Sequence, residues 1–427
     1  RMDALDLIAA AFGTLALLVI WTQAEPFKSL QGFGSLDDPT QGNAVRKLVT
    51  LGLVGTSACL VLLRGQLGRT VRIASPALVV VMLWFGLSAL LSENTGLAIN
   101  RLVLAACTIL IAGLLPLLFR RLDTFMVVLG LAASIAVAFS YLGIVFAPDL
   151  SIHTLKDVYG HDLEGSWRGV FAHKNELGAM AIHFAFIGLL LARTGRPAWG
   201  TVLAVASLVL LVMSNGKTAM ILILPTFLVG LVVAVFHMRT LSAILSVGLI
   251  GGLLLLTLGS IVFDPIRDIV KMLMSDPTFT GRTDIWELGM LGARDALWMG
   301  YGYATFWDSG QAIALVENRP VIVFDAHNGY VETVLSGGVI GLFLVMLWAG
   351  FEPWRAIERI KRRMISARER TFLVYVTQVW MFTLLVSALE SVLFNRGQSV
   401  WFMGLLAIMC LRHWECATRP ARTGAPS

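Results

Sequence analysis

The sequence predicts an all-α integral membrane protein: a polytopic helical bundle that forms a single membrane domain over residues 1–427. The composition is the first reason, because 57% of the residues are hydrophobic and only 14% are charged, against roughly 25% charged residues in a soluble domain. The mean hydropathy of +0.78 agrees. Apolar runs of about 18 residues or more also recur along the chain, which is too long for the strands of a membrane barrel.

These runs predict about twelve membrane-spanning helices. They lie near residues 4–22, 46–64, 75–92, 101–119, 124–147, 172–192, 198–213, 217–237, 240–262, 333–350, 372–392 and 398–413. No small-residue cleavage signature follows the first run, so we expect a retained helix there and not a signal peptide. Three of the four cysteines lie in apolar runs and one in the C-terminal tail, which predicts neither a disulfide nor a zinc site.

Basic residues gather in the short loops on one side of the predicted bundle. Positively charged loops mark the cytoplasmic side of a membrane protein, so both termini are predicted to be cytoplasmic. The net charge of +6 follows from this topology and does not indicate a nucleic-acid partner. The basic residues on this side are Arg64, Arg69, Arg72, Arg120, Arg121, Arg193, Arg196, Arg355, Arg359, Lys361, Arg362, Arg363, Arg368 and Arg370.

The longest polar segment, residues 263–332, joins the ninth and tenth spans on the opposite face. A connection of that length usually has a function, and we expect it to form a lid and part of an active site. It is acidic overall, with ten Asp or Glu residues against five Lys or Arg. A helix is predicted over residues 283–297, with Thr283 or Asp284 as its N-cap. Residues 300–303 are predicted to form a turn back to the membrane.

Two further polar blocks lie on the same outer face. Arg168, Lys174 and Asn175 stand where the sixth span enters the bilayer, at the depth of a lipid phosphate. The alternative for both cations is a role as interface anchors whose charged ends extend to water. Lys217 is a lone cation in the turn at residues 214–219. Its Gly-Lys-Thr context lacks the preceding glycine and strand of a phosphate-binding loop, so no nucleotide site is predicted.

The long segment supplies the remaining candidates: Arg282 and Trp286, and then His327, Asn328 and Tyr330 at the start of the tenth span. A histidine in this position can serve as a base, or it can be a hydrogen-bonded structural residue.

Two histidines outside the long segment carry less weight. His153 and His161, with Asp157 and Asp162, make a metal site conceivable, but we do not expect one. No privileged pair of carboxylates for glycoside hydrolysis can be picked out of the long segment.

Taken in order, these blocks resemble the O-antigen ligase and polymerase superfamily of bacterial envelope glycosyltransferases. The motifs that carry the resemblance lie at residues 168–178, 214–219, 281–286, 300–306 and 327–341. They read Arg-Gly-x-Phe-x-x-x-Asn-x-x-Gly, Ser-x-x-basic-Thr-Ala, Gly-Arg-x-x-x-Trp, Gly-x-Gly-x-x-x-Phe and His-Asn-x-Tyr. Lys217 departs from the arginine expected in many relatives, which keeps the charge but loses the bidentate fork.

The resemblance implies transfer of a glycan from undecaprenyl pyrophosphate to an acceptor at the periplasmic face of the bacterial inner membrane. It implies no metal, cofactor or nucleotide. A pyrophosphate leaving group then needs cations, for which we expect Arg168, Lys174, Lys217 and Arg282, while His327 can take a proton from the attacking hydroxyl. The expected supporting residues are Asn175, Trp286, Asn328 and Tyr330.

We therefore predict a glycosyltransferase, an O-antigen ligase whose acceptor is the lipid A–core oligosaccharide. Its partners would be the lipid-linked donor, this acceptor and the membrane lipids. An O-antigen polymerase or an O-linked oligosaccharyltransferase of the same superfamily is the alternative. A transporter is the rival from another class, but transporters place polar residues in mid-membrane, whereas here they cluster at one face.

Overall fold

The computed structural model describes residues 3–30, 44–157, 163–236, 238–274, 276–317, 323–363 and 365–417. Over these residues the chain is helical, without a β-sheet and with one isolated bridge between Ile152 and Trp167. The predicted all-α fold class is confirmed. His161, Asp162, His237 and Arg319 lie outside the described residues.

The α-helices are numbered in chain order, and the helices that are only four residues long are left out of the numbering. They are α1 Ala4–Trp21, α2 Ala44–Leu63, α3 Pro76–Leu90, α4 Thr95–Leu114, α5 Leu122–Phe146, α6 Lys174–Arg193, α7 Pro197–Met213, α8 Lys217–Val235, α9 Arg239–Thr257, α10 Asp264–Leu273, α11 Arg282–Asp295, α12 Gly310–Val316, α13 Gly329–Val345, α14 Glu352–Ile360, α15 Ala367–Val386 and α16 Ser399–Ala417. A π-helical segment, Met346–Phe351, joins α13 to α14.

Eight helices in the described part of the chain are long and apolar enough to cross a membrane. These are Ala4–Trp21, Ala44–Leu63, Thr95–Leu118, Leu122–Phe146, Lys174–Arg193, Lys217–Val235, Arg239–Val262 and Gly329–Ile360. The apolar helices α3 and α7 are shorter, and α15 and α16 have 20 and 19 residues. A helix therefore lies at every predicted position, and the chain is a multi-pass membrane protein.

Helix α6 lies at the centre of the bundle, where it packs against α5, α7, α8, α15 and α16. Its contact with α7 is the closest because two glycines face each other. A Cβ on Gly200 would stand 2.3 Å from the carbonyl oxygen of Gly188, so neither position has room for a side chain. Near the start of α6, which carries the first polar block, a Cβ on Gly178 would stand 2.9 Å from the hydroxyl oxygen of Ser214, so α6 is closely packed there as well.

The tenth span begins earlier than the predicted residue 333. Oδ1 of Asn328 accepts hydrogen bonds from the N–H groups of Tyr330 and Val331, at 3.0 and 3.1 Å, and so caps α13 at Gly329. Gly338 interrupts this helix with a φ of 70°, and a Cβ there would stand 2.0 Å from the carbonyl oxygen of Trp298. The glycine-rich continuation of the motif thus lets the long segment pack directly on α13.

Two other predicted boundaries in this region are wrong. The helix of the long segment, α11, starts at Arg282 with Gly281 as its N-cap, and not at Thr283 or Asp284. Gly281 has a φ of 79°, a left-handed conformation that glycine adopts without strain and that ends the preceding turn. The eleventh span was predicted to continue to residue 392, but α15 ends at Val386. Residues 387–398, here called the outer connector, are not helical.

The two ends of the bundle differ in charge. At one end, here called the basic end, ion pairs and hydrogen bonds join the arginine-rich loops to neighbouring helices. Examples are Arg196 to Asp123 at 2.7 Å, Arg64 to Asp6 at 2.9 Å, and the Nε of Arg412 to the carbonyl oxygen of Arg72 at 3.1 Å. The opposite end, here called the site end, contains the starts of α6, α8 and α13 together with the outer connector.

Candidate functional site

Glu390, on the outer connector, is the residue at which the predicted blocks meet. Its Oε1 accepts hydrogen bonds from the amide of Asn175 at 3.0 Å and from Nη2 of Arg282 at 2.7 Å. Its Oε2 lies 3.5 Å from Nδ1 of His327. Nη1 of Arg282 also reaches the hydroxyl of Thr218 at 3.4 Å. The Glu390–Arg282 pair therefore joins residues from four of the five motifs, those at 168–178, 214–219, 281–286 and 327–341.

Arg282 is fixed to the outer connector by both ends of its guanidinium. Nη1 donates to the carbonyl oxygen of Leu389 at 2.5 Å, and Nη2 donates to Glu390. Its side chain is only 12% exposed. A guanidinium held by a carbonyl and a carboxylate has a fixed plane, so the side chain is oriented before any ligand arrives.

The imidazole of His327 has its two nitrogens in different surroundings. Nδ1 lies 3.5 Å from Oε2 of Glu390 and 3.7 Å from Oδ1 of Asp325. Because an ionised carboxylate only accepts hydrogen bonds, the neutral ring here carries its proton on Nδ1 and its lone pair on Nε2. No residue in the described part of the chain hydrogen-bonds to Nε2, and the histidine lines a cavity. This is the geometry of a general base.

The backbone of His327 is also held in an unusual conformation, with a φ of 44°. Oδ1 of Asp325 accepts the backbone N–H of His327 at 2.7 Å, and Nε1 of Trp286 donates to its carbonyl oxygen at 3.4 Å. A left-handed residue other than glycine persists only where its surroundings enforce it. These contacts do so here, and they give the predicted supporting residue Trp286 a definite role.

The charges at this junction shift two pKa values. Burial acts to lower the pKa of His327, but the hydrogen bond to Glu390 and the charges of Asp325 and Glu390 outweigh it and raise that pKa above its usual value. Burial acts to raise the pKa of Glu390, yet the charges of Arg282 and His327 bring it down to about 2. Glu390 is therefore ionised at neutral pH, and His327 is a stronger base than a free histidine.

Lys174 and Lys217 lie near Arg282, close enough that the three charges act on one another. Lys174 is the first residue of α6 and Lys217 the first of α8, so the starts of two helices bring these cations together. Lys217 is exposed. The arrangement is a cluster of three cations, of which Arg282 is paired with Glu390, and it can hold an anion such as a phosphate.

The structure places Arg168 apart from this cluster. The residue is completely buried, and its Nη1 donates to the carbonyl oxygen of Lys28 at 2.8 Å. Its backbone N–H donates to the carbonyl oxygen of Ser151 at 2.8 Å. Arg168 therefore joins the segment after α1 to the segment before α6, and a ligand would reach it only if these contacts opened.

The histidines before α6 use their ring nitrogens for structure. Nδ1 of His153 pairs with Asp157 at 2.8 Å, while its Nε2 accepts the N–H of Lys174 at 3.2 Å. Nδ1 of His173 accepts the N–H of Asn175 at 3.1 Å. Burial, followed by the charge of His153, lowers the pKa of His173 to about 3, so this ring is neutral. Among the described residues, no group of three or more His, Cys, Asp or Glu is placed to hold a metal ion.

The other predicted supporting residues fix α13 to the outer connector. Nδ2 of Asn328 donates to the carbonyl oxygen of Ala388 at 2.9 Å, and the backbone N–H of Gly329 donates to that of Ser387 at 2.7 Å. The hydroxyl of Tyr330 donates to the carbonyl oxygen of Leu384 at 2.8 Å, at the end of α15. Together these bonds set the position of His327 relative to Glu390.

A cavity of about 870 Å³ lies on one side of the His327–Glu390 pair. His173, Asn175, His327 and Glu390 line it, whereas Lys174, Lys217 and Arg282 do not. The pair therefore has the cation cluster on one side and the cavity on the other. Chemically, the site offers one base between two places where substrates can bind.

Sequence reasoning did not single out Glu390. The residue was taken as part of the predicted eleventh span, because Leu389, Val392 and Leu393 make its surroundings apolar. An acidic residue inside an apolar run is costly in a membrane and usually has a function. That signal was present in the sequence and could have identified the residue.

Comparison with known proteins identifies related sequences. The O-antigen ligase family model matches residues 202–346, a segment that contains Lys217, Arg282 and His327. The exopolysaccharide production protein ExoQ of Rhizobium meliloti (strain 1021) is 26% identical over 209 residues, which cover 44% of this chain. The chain spans about half of that relative, 47% of its length. Both matches confirm the resemblance to the O-antigen ligase and polymerase superfamily.

Proposed function

We propose that this chain, a multi-pass membrane protein of the O-antigen ligase and polymerase superfamily, is an O-antigen ligase. It transfers a polysaccharide from undecaprenyl pyrophosphate to the lipid A–core oligosaccharide at the periplasmic face of the bacterial inner membrane. The observation that carries the proposal is the meeting of Asn175, Arg282 and His327 at Glu390, with His327 lining the cavity and Lys174 and Lys217 close to Arg282.

Different residues act on the two substrates of the proposed reaction. Lys174, Lys217 and Arg282 hold the pyrophosphate and stabilise the charge that develops on it as it leaves. Nε2 of His327 takes the proton from an acceptor hydroxyl, whose oxygen then attacks the anomeric carbon of the donor. The new glycosidic bond forms as the bond from that carbon to the pyrophosphate oxygen breaks, and attack from the opposite face inverts the configuration.

Glu390 serves this mechanism as a positioning residue. It holds the proton of His327 on Nδ1, stabilises the imidazolium that forms during transfer, and fixes the plane of Arg282. Asn175 fixes the carboxylate in turn. For Arg168 we propose a structural role, because its bond to the carbonyl oxygen of Lys28 fixes a segment that lines the cavity.

A reconstituted reaction tests the proposal. Purified chain in liposomes, given lipid-linked O-polysaccharide and lipid A–core, should form full-length lipopolysaccharide, and EDTA should leave the rate unchanged. Loss of activity on chelation, with recovery on addition of a divalent ion, would contradict the metal-independent mechanism. A protein that joins no glycan to any lipid-borne acceptor would contradict the transferase assignment.

A polymerase is the second candidate, and the name of the relative from Rhizobium meliloti, an exopolysaccharide production protein, favours it. Its acceptor would be another lipid-linked repeat unit. The lipopolysaccharide ladder of a deletion strain distinguishes the two functions. Loss of all long chains, with lipid-linked polymer retained, identifies a ligase, whereas a cap of a single repeat identifies a polymerase.

The proposed orientation places the site end in the periplasm and both termini in the cytoplasm. A reporter fused near Gly310 should be active only as a periplasmic enzyme, and one fused near Arg363 only as a cytoplasmic one. The opposite pattern would put Glu390 and His327 on the side where no lipid-linked polymer is available.

A further inference from the structure

The cavity beside His327 continues from the site end down between the helices. On α4 its lining residues recur at Leu97, Arg101, Leu104, Thr108 and Ile111, which is one face of the helix. At about 1.5 Å per residue this face runs for about 21 Å. The cavity is therefore a slot that extends along a membrane-spanning helix.

Below the arginines the lining is mostly apolar. Leu104 and Ile111 of α4 and Leu53 of α2 line it there, whereas Ile20 of α1 and Phe402 of α16 line the slot nearer the site end. The lower part of the slot thus has the character of a hydrocarbon environment and excludes the polar chain of a glycan. It fits an acyl or a polyprenyl chain.

The upper part of the slot contains three arginines from three elements. Arg101 pairs with Asp308 at 2.5 Å, and Arg46 donates to the side-chain oxygen of Gln23. Arg396, on the outer connector, also lines the cavity. Its guanidinium makes no ion pair and no hydrogen bond to a residue that the structure describes, although the backbone around it is well packed through Phe394.

The surroundings of Arg396 favour an anion. Burial, together with the charges of Arg101 and Arg46, lowers its pKa to about 10, so the side chain remains a cation at neutral pH. A partly buried cation beside two others is costly unless a negative charge compensates for it. Asp308, an acid whose charge acts on Arg396, is already paired with Arg101.

We propose that this slot is a second lipid-phosphate site, in which Arg396, Arg101 and Arg46 hold the phosphate and the hydrocarbon chain lies along α4. It is separate from the cluster of Lys174, Lys217 and Arg282, because those residues do not line the cavity and the His327–Glu390 pair stands between the two. A transferase that joins two lipid-borne substrates needs two such sites around one base. The inference rests on the proposed function.

Direct binding measurements test the site independently of transfer. The full chain in nanodiscs is titrated with undecaprenyl phosphate and, separately, with lipid A. Arg396→Ala should weaken binding of one of these lipids by about tenfold or more, the usual effect of losing one charge-assisted hydrogen bond to phosphate. Leu104→Trp, which fills the slot below the arginines, should weaken the same lipid by a similar factor.

Matched controls keep the outcome interpretable. Arg294→Ala removes an exposed arginine of α11, and Leu110→Trp adds the same bulk on the exposed face of α4. Both should bind as the wild type does. If Arg396→Ala does not fold, Leu104→Trp still tests the slot, and thermal unfolding identifies that case.

The binding results separate the possible assignments of the slot. An effect on undecaprenyl phosphate assigns the slot to the donor, and an effect on lipid A assigns it to the acceptor; both support the site. Unchanged binding of both lipids in folded Arg396→Ala and Leu104→Trp would overturn it. A wild type that binds lipid through Arg396 but transfers no glycan would contradict the proposed function and leave the site intact.

Discussion

Charged groups are used differently at the two ends of the bundle. At the basic end, Lys361 donates to Glu358 at 2.5 Å and to the carbonyl oxygens of Val233 and Phe236, so the lysine joins α14 to the end of α8. At the site end, Glu390 is shared by an arginine, a histidine and an amide. In the first arrangement, the ammonium group of the lysine uses its hydrogen-bond donors to hold helices together. The second leaves groups with unused donors or lone pairs facing a cavity or the surface, which is what a reaction needs.

The largest effect should come from His327→Ala. Loss of a general base typically costs about 10²–10⁴-fold in rate, so we expect transfer to fall by that factor while the donor still binds. The rate is measured with purified protein in liposomes, and donor binding by titration. His413→Gln is the matched control, because Nε2 of His413 bonds to the carbonyl oxygen of Gly113 at the basic end. Near wild-type transfer by His327→Ala would remove the base assignment.

Glu390→Gln should lower the rate by roughly a hundredfold and also move its pH dependence. The base works in its neutral form, so the wild-type rate should rise with pH through a pKa above the usual value for histidine. Without the carboxylate, burial and Arg282 act to lower that pKa. The rising limb should therefore shift to lower pH in the variant.

Glu358→Gln gives the comparison for this second experiment. It removes an acid from the ion pair with Lys361 at the basic end, and its pH profile should keep the wild-type limb. If the rising limb of the pH–rate profile stays at the wild-type pH in Glu390→Gln, His327 does not set the pH dependence of transfer.

Arg282→Ala should reduce transfer by about tenfold to a hundredfold, because a charge-assisted hydrogen bond to phosphate contributes roughly 1.5–3 kcal/mol. Arg282→Lys should restore part of the rate, since lysine keeps the charge without the planar fork. Arg196→Ala is the matched variant at the basic end, where the arginine contacts Asp123 through two bonds of 3.1 and 2.7 Å. Equal losses in the two alanine variants would remove the distinction between the ends.

Of these variants, Arg168→Ala should have the smallest effect on the rate of transfer per folded molecule and the largest effect on thermal stability. Arg168→Ala leaves the carbonyl oxygen of Lys28 without its donor and opens space in a fully buried place. We expect a lower midpoint of thermal unfolding than for Arg282→Ala, with transfer reduced in proportion to folded protein. A normal midpoint with transfer reduced a hundredfold would restore direct contact with the pyrophosphate.

Much of this molecule follows from its sequence because the bilayer restricts what an apolar run can do. The positions of the spans and the grouping of Lys217, Arg282 and His327 at one end could be predicted in this way. The end of α15 could not, since the first part of the outer connector, with Ala388, Leu389, Val392 and Leu393, continues the apolar run of the helix before it. The side chain of Arg168 points toward the carbonyl oxygen of Lys28, which is distant in the sequence, and no local sequence pattern predicts that contact.

The position of Glu390 on the outer connector has a consequence for transplanting parts between relatives. The segment that matches the family model, residues 202–346, contains Arg282 and His327 but neither Asn175 nor Glu390. A chimera that takes this segment from a relative therefore inherits the acid and its amide from this chain. It can work only where the incoming arginine and histidine reach the same carboxylate, so the natural unit of exchange includes both flanking stretches.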